Sequence, residues 1–138
     1  MIAHSEWKHD NVFEATSESG RSIVFDAEDP HTYGPSPMEA VLMALCSCTS
    51  VDVVSILHKK RQQLTALRVS ATAERAPDAP RVFTRIKLTY AVSGKLSRKA
   101  VEDAVSLSKN KYCSVSKMLE KAAKIGYEIV YPDGEPEP

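Results

Sequence analysis

The chain has 138 residues, with 18 basic and 18 acidic side chains and a hydrophobic share of 43%. Balanced charge excludes the electrostatic footprint of a nucleic-acid binder or an anionic-membrane binder, and the hydrophobic share excludes a disordered chain. This length predicts one domain, residues 1–138, able to bury a core without disulfide staples.

The N-terminal segment alternates, with Ile2, His4, Glu6 and Lys8 on one side and Ala3 and Trp7 on the other. Val12 to Thr16 and Arg21 to Asp26 follow, separated by the turn signals Asp10-Asn11 and Glu18-Ser19-Gly20, which predicts three short antiparallel strands. The loop from Ala27 to Pro35 closes that unit. Ser36, Pro37 and Glu39 form the start signal of a helix, with Ser-x-x-Glu as a capping box. That helix is expected to run to about Lys60, roughly 25 residues and about 37 Å. From Val41 to Leu57 apolar and small residues occupy every face, so it is expected to be buried on most sides. One chain of this size hardly wraps such a helix, which predicts cover from a second copy.

Two strands follow, Leu64 to Glu74 and Val82 to Ser93. In the second, Val82, Thr84, Ile86, Leu88, Tyr90 and Val92 form one side, and Phe83, Arg85, Lys87, Thr89 and Ala91 the other. Ser97 caps a helix expected over 98–109, with Val101, Ala104, Val105 and Ser108 on one face. Asn110-Lys111-Tyr112 reads as a link to a helix over 114–123, and Ile125 to Tyr131 as a final strand. The tail 132–138 is polar and expected to fray. The order βββ-α-ββ-αα-β is that of an α+β domain.

No secretory signal is visible at the start, and Cys, Ser, Thr and Asp52 interrupt the longest apolar stretch, so a cytoplasmic protein with no membrane span is expected. In a reducing compartment a pair of thiols points to redox chemistry or catalysis before a structural disulfide. Cys113 lies at a helix start, where free N–H groups, the dipole and Lys109, Lys111 and Lys117 are expected to lower a thiol's pKa. Capping alone is a weaker account of Cys113, since sulfur is a poor acceptor and Ser114 offers an alternative cap. Cys48 sits inside the long helix, four residues before Asp52, whose charge opposes a thiolate. A reactive Cys48 therefore needs a cation from elsewhere, Arg21 or Arg85. Cys46 points about 200° away from Cys48 round the helix and is the competing thiol. Against chemistry stands the common role of cysteine as a buried space-filler. The four scattered histidines give no zinc spacing, and neither a phosphate loop nor a serine elbow occurs.

Pro35-Ser36-Pro37-Met38-Glu39-Ala40-Val41-Leu42-Met43-Ala44, then Cys48, then Asp52 to Leu57, resembles the OsmC/Ohr family of organic hydroperoxide reductases, nearest its YhfA-like branch. Lys111-Tyr112-Cys113-Ser114-Val115 resembles the family's second cysteine motif, and the likeness runs from about Glu6 to Tyr131. The resemblance implies an OsmC-like fold, antiparallel sheets wrapped around long central helices in an intertwined homodimer. It implies Cys48 as peroxidatic nucleophile, Cys113 as resolving thiol, Arg21 as the activating cation and an early helix glutamate, Glu39, to hold that arginine. Met38 stands where better-known members carry the glutamate; Glu39 is one place along, about 100° round the helix, where capping is its other role. The partners implied are a small organic hydroperoxide and an external dithiol reductant, such as one of lipoyl type, with no resident cofactor and no metal. The other readings are a weakly active OsmC-like redox or stress protein and a ligand-binding domain.

Overall fold

The computed structural model describes all residues, Met1–Pro138. They form two compact units, residues 1–43 and 44–138. In the first, β1 (Ala3–His9), β2 (Val12–Ser17) and β3 (Ser22–Asp26) make an antiparallel meander in the order β1-β2-β3. Asp10, at φ 44°, and Gly20, at φ 81°, take the left-handed conformations their turns need. The loop back from β3 is organised by the buried carboxylate of Asp26, which accepts from the main-chain N–H groups of Glu28 (2.9 Å), Thr32 (3.0 Å) and Tyr33 (3.1 Å). Those donors hold its pKa below the usual carboxylate range. Gly34 passes so close to the Val24 carbonyl that no side chain fits there. The unit ends in the first residues of α1 (Pro37–Lys59), opened by the expected capping box. Ser36 N–H donates to Glu39 Oε1 (2.9 Å), and Glu39 N–H donates to Ser36 Oγ (3.1 Å).

In the second unit β4 (Gln63–Arg75) and β5 (Phe83–Lys95) pair as a long antiparallel hairpin, and β6 (Lys124–Val130) lies parallel to β5. Between β5 and β6 come α2 (Arg98–Leu107), a π turn (Ser108–Tyr112) and α3 (Ser114–Leu119). Ser97 caps α2, its Oγ accepting from Ala100 N–H at 3.1 Å, and Val101, Ala104, Val105 and Ser108 are buried as the periodicity predicts. The segment expected as a link is instead the π turn: Cys113 N–H donates to the carbonyl of Ser108 five residues back, at 2.8 Å. The helix expected to reach residue 123 stops at Leu119, and Ala123 folds back on its carbonyl. The tail makes two links to the start of α2: Arg98 N–H donates to the Glu137 carbonyl at 2.7 Å, and the Arg98 guanidinium pairs with Glu135.

Two burial expectations change. At the start of β5 Phe83 is buried, while Val82, just before the strand, is exposed, although simple alternation groups Val82 with Ile86 and Leu88. A bulge explains it: Glu74 opposes Arg85 while Arg75 opposes Phe83, so Thr84 is the extra residue and Phe83 shares a side with Ile86. On α1 only the stripe Leu45, Thr49, Val53 and Leu57 is buried. Met43 and Val51 are exposed, Val51 at 68%, and the remaining large apolar residues of the other faces are half-buried, so those faces are only partly covered within the chain. The packed stripe and the side chains of β5 and α2 form the core of the second unit, each large side chain contributing about 1.5–3 kcal/mol by its burial.

Candidate functional site

The second unit brings Cys48 and Cys113 together. Cys48 is half-buried on α1, and Cys113 is fully buried between the π turn and α3. Cys48 is near enough for its side chain to raise the Cys113 pKa, and both thiols are free. The fold achieves this by laying the end of α2 and the π turn against α1. Cys113, not Ser114, is the N-cap of α3, its Sγ accepting from Ser116 N–H at 3.4 Å.

The expected lowering of the Cys113 pKa is overturned. Burial pushes this thiol up to about 11, and the neighbouring Cys48 side chain and Asp52 charge push the same way. The Ser116 N–H opposes them; it outweighs each single effect of Cys48 or Asp52 but not burial. The lysines do not rescue the thiolate. Lys117 is paired with Glu120 at 2.6 Å, and Lys111 Nζ lies 5.2 Å from the centre of the Tyr112 ring. Cys113 therefore keeps its proton at neutral pH. Cys46, half-buried on α1, is also pushed up by burial.

Arg21 and Glu39 belong to the first unit. Arg21 is exposed in the turn after Gly20, its carbonyl accepting from Ser17 N–H at 2.9 Å. The Glu39 carboxylate serves the Ser36 cap and stands 3.1 Å from His31 Nε2 rather than holding Arg21. The main-chain bond from Ser36 holds the Glu39 pKa below the usual range. Arg85, the other cation considered, pairs with its cross-strand neighbour Glu74 at 3.7 Å.

Sequence reasoning missed a chain of hydroxyls beside the thiols. Tyr90 Oη and Thr49 Oγ1 are 2.7 Å apart, Thr49 Oγ1 and Ser108 Oγ 2.7 Å, and Ser108 Oγ and Asp52 Oδ2 2.8 Å. The carboxylate only accepts, so Ser108 donates to it. With that proton committed, Thr49 donates to Ser108 and Tyr90 donates to Thr49. The chain thus has one direction, from Tyr90 to Asp52. Burial pushes the Tyr90 hydroxyl up to about 12. The available signal was polar residues on three otherwise apolar faces, Thr49 on the α1 stripe, Ser108 continuing the buried face of α2 into the π turn, and Tyr90 on β5, because buried hydroxyls need partners. Beside Asp52 a cleft of about 350 Å³ is lined by Ser55, Ile56, Lys60, Leu107 and Tyr112. No group of three His, Cys, Asp or Glu side chains converges as a metal site would require.

Comparisons place this geometry among known proteins. A family model described as OsmC-like protein matches residues 28–128. "Protein YhfA" of Escherichia coli K12 is 47% identical over 133 residues, 94% of this chain and 98% of that protein. A crystal structure of a hypothetical protein from Aquifex aeolicus VF5 has 31% identity and a TM-score of 0.81, covering 96% of this chain and 97% of that one. The organic hydroperoxide resistance protein OhrB of Bacillus subtilis shares the fold at 16% identity and a TM-score of 0.63, covering 94% of this chain and 98% of that one.

Proposed function

Because the chain belongs to the OsmC-like protein family, whose fold extends to organic hydroperoxide resistance proteins, we propose that it reduces organic hydroperoxides with its own thiols, in defence against oxidative stress. The observation that carries this reading is the adjacency of Cys48 and Cys113 in the folded chain. Cys48, as thiolate, attacks the distal peroxide oxygen; the O–O bond breaks, the leaving alkoxide takes a proton to become the alcohol, and Cys48 becomes a sulfenic acid. Cys113 then forms an S–S bond with Cys48, and the sulfenic oxygen leaves as water. An external dithiol, such as one of lipoyl type, restores both thiols by exchange and is itself oxidised to a disulfide.

The difference between the two cysteines suits this division. Cys48 is the more accessible, while Cys113 is held protonated and buried until its partner is oxidised. The cleft beside Asp52 is the proposed approach for a small apolar hydroperoxide. Arg21, outside the residues matched by the family model, is the proposed activating cation, with Glu39 near the start of α1 as its proposed support. The partly covered faces of α1 support a homodimer in which a second copy completes their cover. The proposed compartment is the cytoplasm, without nucleic acid, membrane, metal or resident cofactor as partners.

The test is consumption of cumene hydroperoxide with lipoamide as reductant. Wild type and Cys46→Ser are expected to turn over; Cys48→Ser is expected to be inactive; Cys113→Ser is expected to react once and then stall or overoxidise. Full consumption by Cys48→Ser would overturn the reading. A second reading is a weakly active redox or stress protein. Engagement of Glu39 by Ser36 and His31, rather than by Arg21, favours it. It predicts a Cys48–Cys113 disulfide on oxidation with negligible turnover.

A further inference from the structure

Ser108 joins the two segments that carry the thiols. Its carbonyl takes the Cys113 N–H and so closes the π turn. Its hydroxyl donates to Asp52 and meets Thr49. Asp52 is four residues after Cys48, on the same face of α1. One hydrogen bond, Ser108 to Asp52, therefore runs between turn and helix beside the neighbouring free thiols of Cys48 and Cys113. A π turn spans five residues per hydrogen bond rather than the four of an α-helix, and such turns are rare and frequent at functional sites. Here the residue that closes it, Ser108, is fully buried.

We infer that Ser108 and Asp52 form a positioning clamp for the thiol pair, fixing Cys113 against Cys48 so that the S–S bond closes. This rests on the proposed pairing of the two cysteines, and it concerns closure of the bond rather than attack on the peroxide. A misplacement of about 1 Å slows such a step by one to two orders of magnitude. The Ser108 carbonyl remains in any variant, so the side-chain clamp is separable from the turn itself.

The test uses the full chain carrying Cys46→Ser and the thiol oxidant diamide, so that peroxide chemistry is not involved. Diamide takes one thiol as an adduct; the second thiol displaces it, forming the disulfide and releasing the oxidant as its hydrazine, two electrons having passed from the sulfur pair to the N=N bond. Intact mass against time gives the rate of that second step. Ser108→Ala and Asp52→Ala are expected to close the disulfide roughly tenfold more slowly than the parent. Asp52→Asn, whose amide oxygen still accepts from Ser108, is expected to close at or above the parent rate. A merely structural contribution lowers the melting temperature without that split between Ala and Asn at residue 52. Parent-like rates in both alanine variants overturn the clamp. A parent that forms no Cys48–Cys113 disulfide overturns the pairing on which it rests. Peroxide consumption, assayed separately, tests the proposed function alone.

Discussion

The fully buried thiol of Cys113 adjoins the half-buried thiol of Cys48, although a hairpin, a helix and a π turn separate them along the chain. The two sulfurs therefore share a place but differ in access. Access decides which of them a reagent in solution meets first.

Iodoacetamide at neutral pH is expected to label Cys48 and Cys46 well before Cys113 in the folded chain. Cys113 has no exposed surface, and its thiol is held up to about 11. Peptide mass mapping against time checks the order. Equal labelling of all three thiols in the native protein would contradict the buried placement.

The same raised thiol gives a pH dependence of stability. An unfolded cysteine ionises near about 8.5, whereas Cys113 in the folded chain does so near about 11. As pH rises the unfolded state releases this proton first. The contribution is therefore complete below about 8.5 and is lost as pH climbs toward 11. Tyr90, held up to about 12, acts in the same direction at slightly higher pH. The melting temperature is expected to fall from about pH 9 to 11, and Cys113→Ser is expected to flatten the first part of that fall. A wild-type melting temperature that stays level across this range would rule out the buried thiol as described.

The direction of the hydroxyl chain makes its members unequal. Tyr90 only donates, so Tyr90→Phe leaves Thr49 bonded to Ser108 and costs about 0.5–1.5 kcal/mol. Thr49→Val interrupts the chain and strands the Tyr90 hydroxyl in the core, adding a desolvation penalty of about 1–3 kcal/mol. The double variant has no stranded donor and is expected to be less destabilised than the sum of the two. Urea melts of the three variants check this order. A larger loss for Tyr90→Phe than for Thr49→Val would reverse the inferred direction.

Local rules made much of this legible. The Ser36–Glu39 box is a contact between residues three apart, so its signature is written in the sequence, and both of its hydrogen bonds form. The buried face of α2 follows from its 3.6-residue period. What failed was decided by distant partners. The protonation of Cys113 depends on the desolvation its neighbours impose, which a helix-start rule does not contain. Phe83 faces the core because one extra residue, Thr84, sits in the ladder with β4. The hydroxyl chain joins positions 41 and 59 residues apart, and single hydroxyls carry no spacing pattern. The π turn likewise depends on Ser108 meeting α1, beyond the reach of a reading of Asn110-Lys111-Tyr112 alone.

Val51 offers the test of the proposed homodimer. It is 68% exposed on α1, beside Val54 and His58 in a shallow groove, while the buried stripe of the same helix lies at Leu45, Thr49, Val53 and Leu57. A long helix with apolar residues on faces open to water gains by burying them against another chain. Val51→Asp puts a charge on that face without touching the packed stripe, so the fold of residues 44–138 is expected to survive. In a dimer sealed there, the buried unpaired carboxylate costs several kcal/mol and association falls by orders of magnitude. Sedimentation velocity of wild type against Val51→Asp, with circular dichroism to confirm retained structure, distinguishes the cases. A dimeric wild type and a folded monomeric variant are the expected pair. A wild type that sediments as a monomer at tens of micromolar would leave α1 bare in solution and remove the proposed second copy.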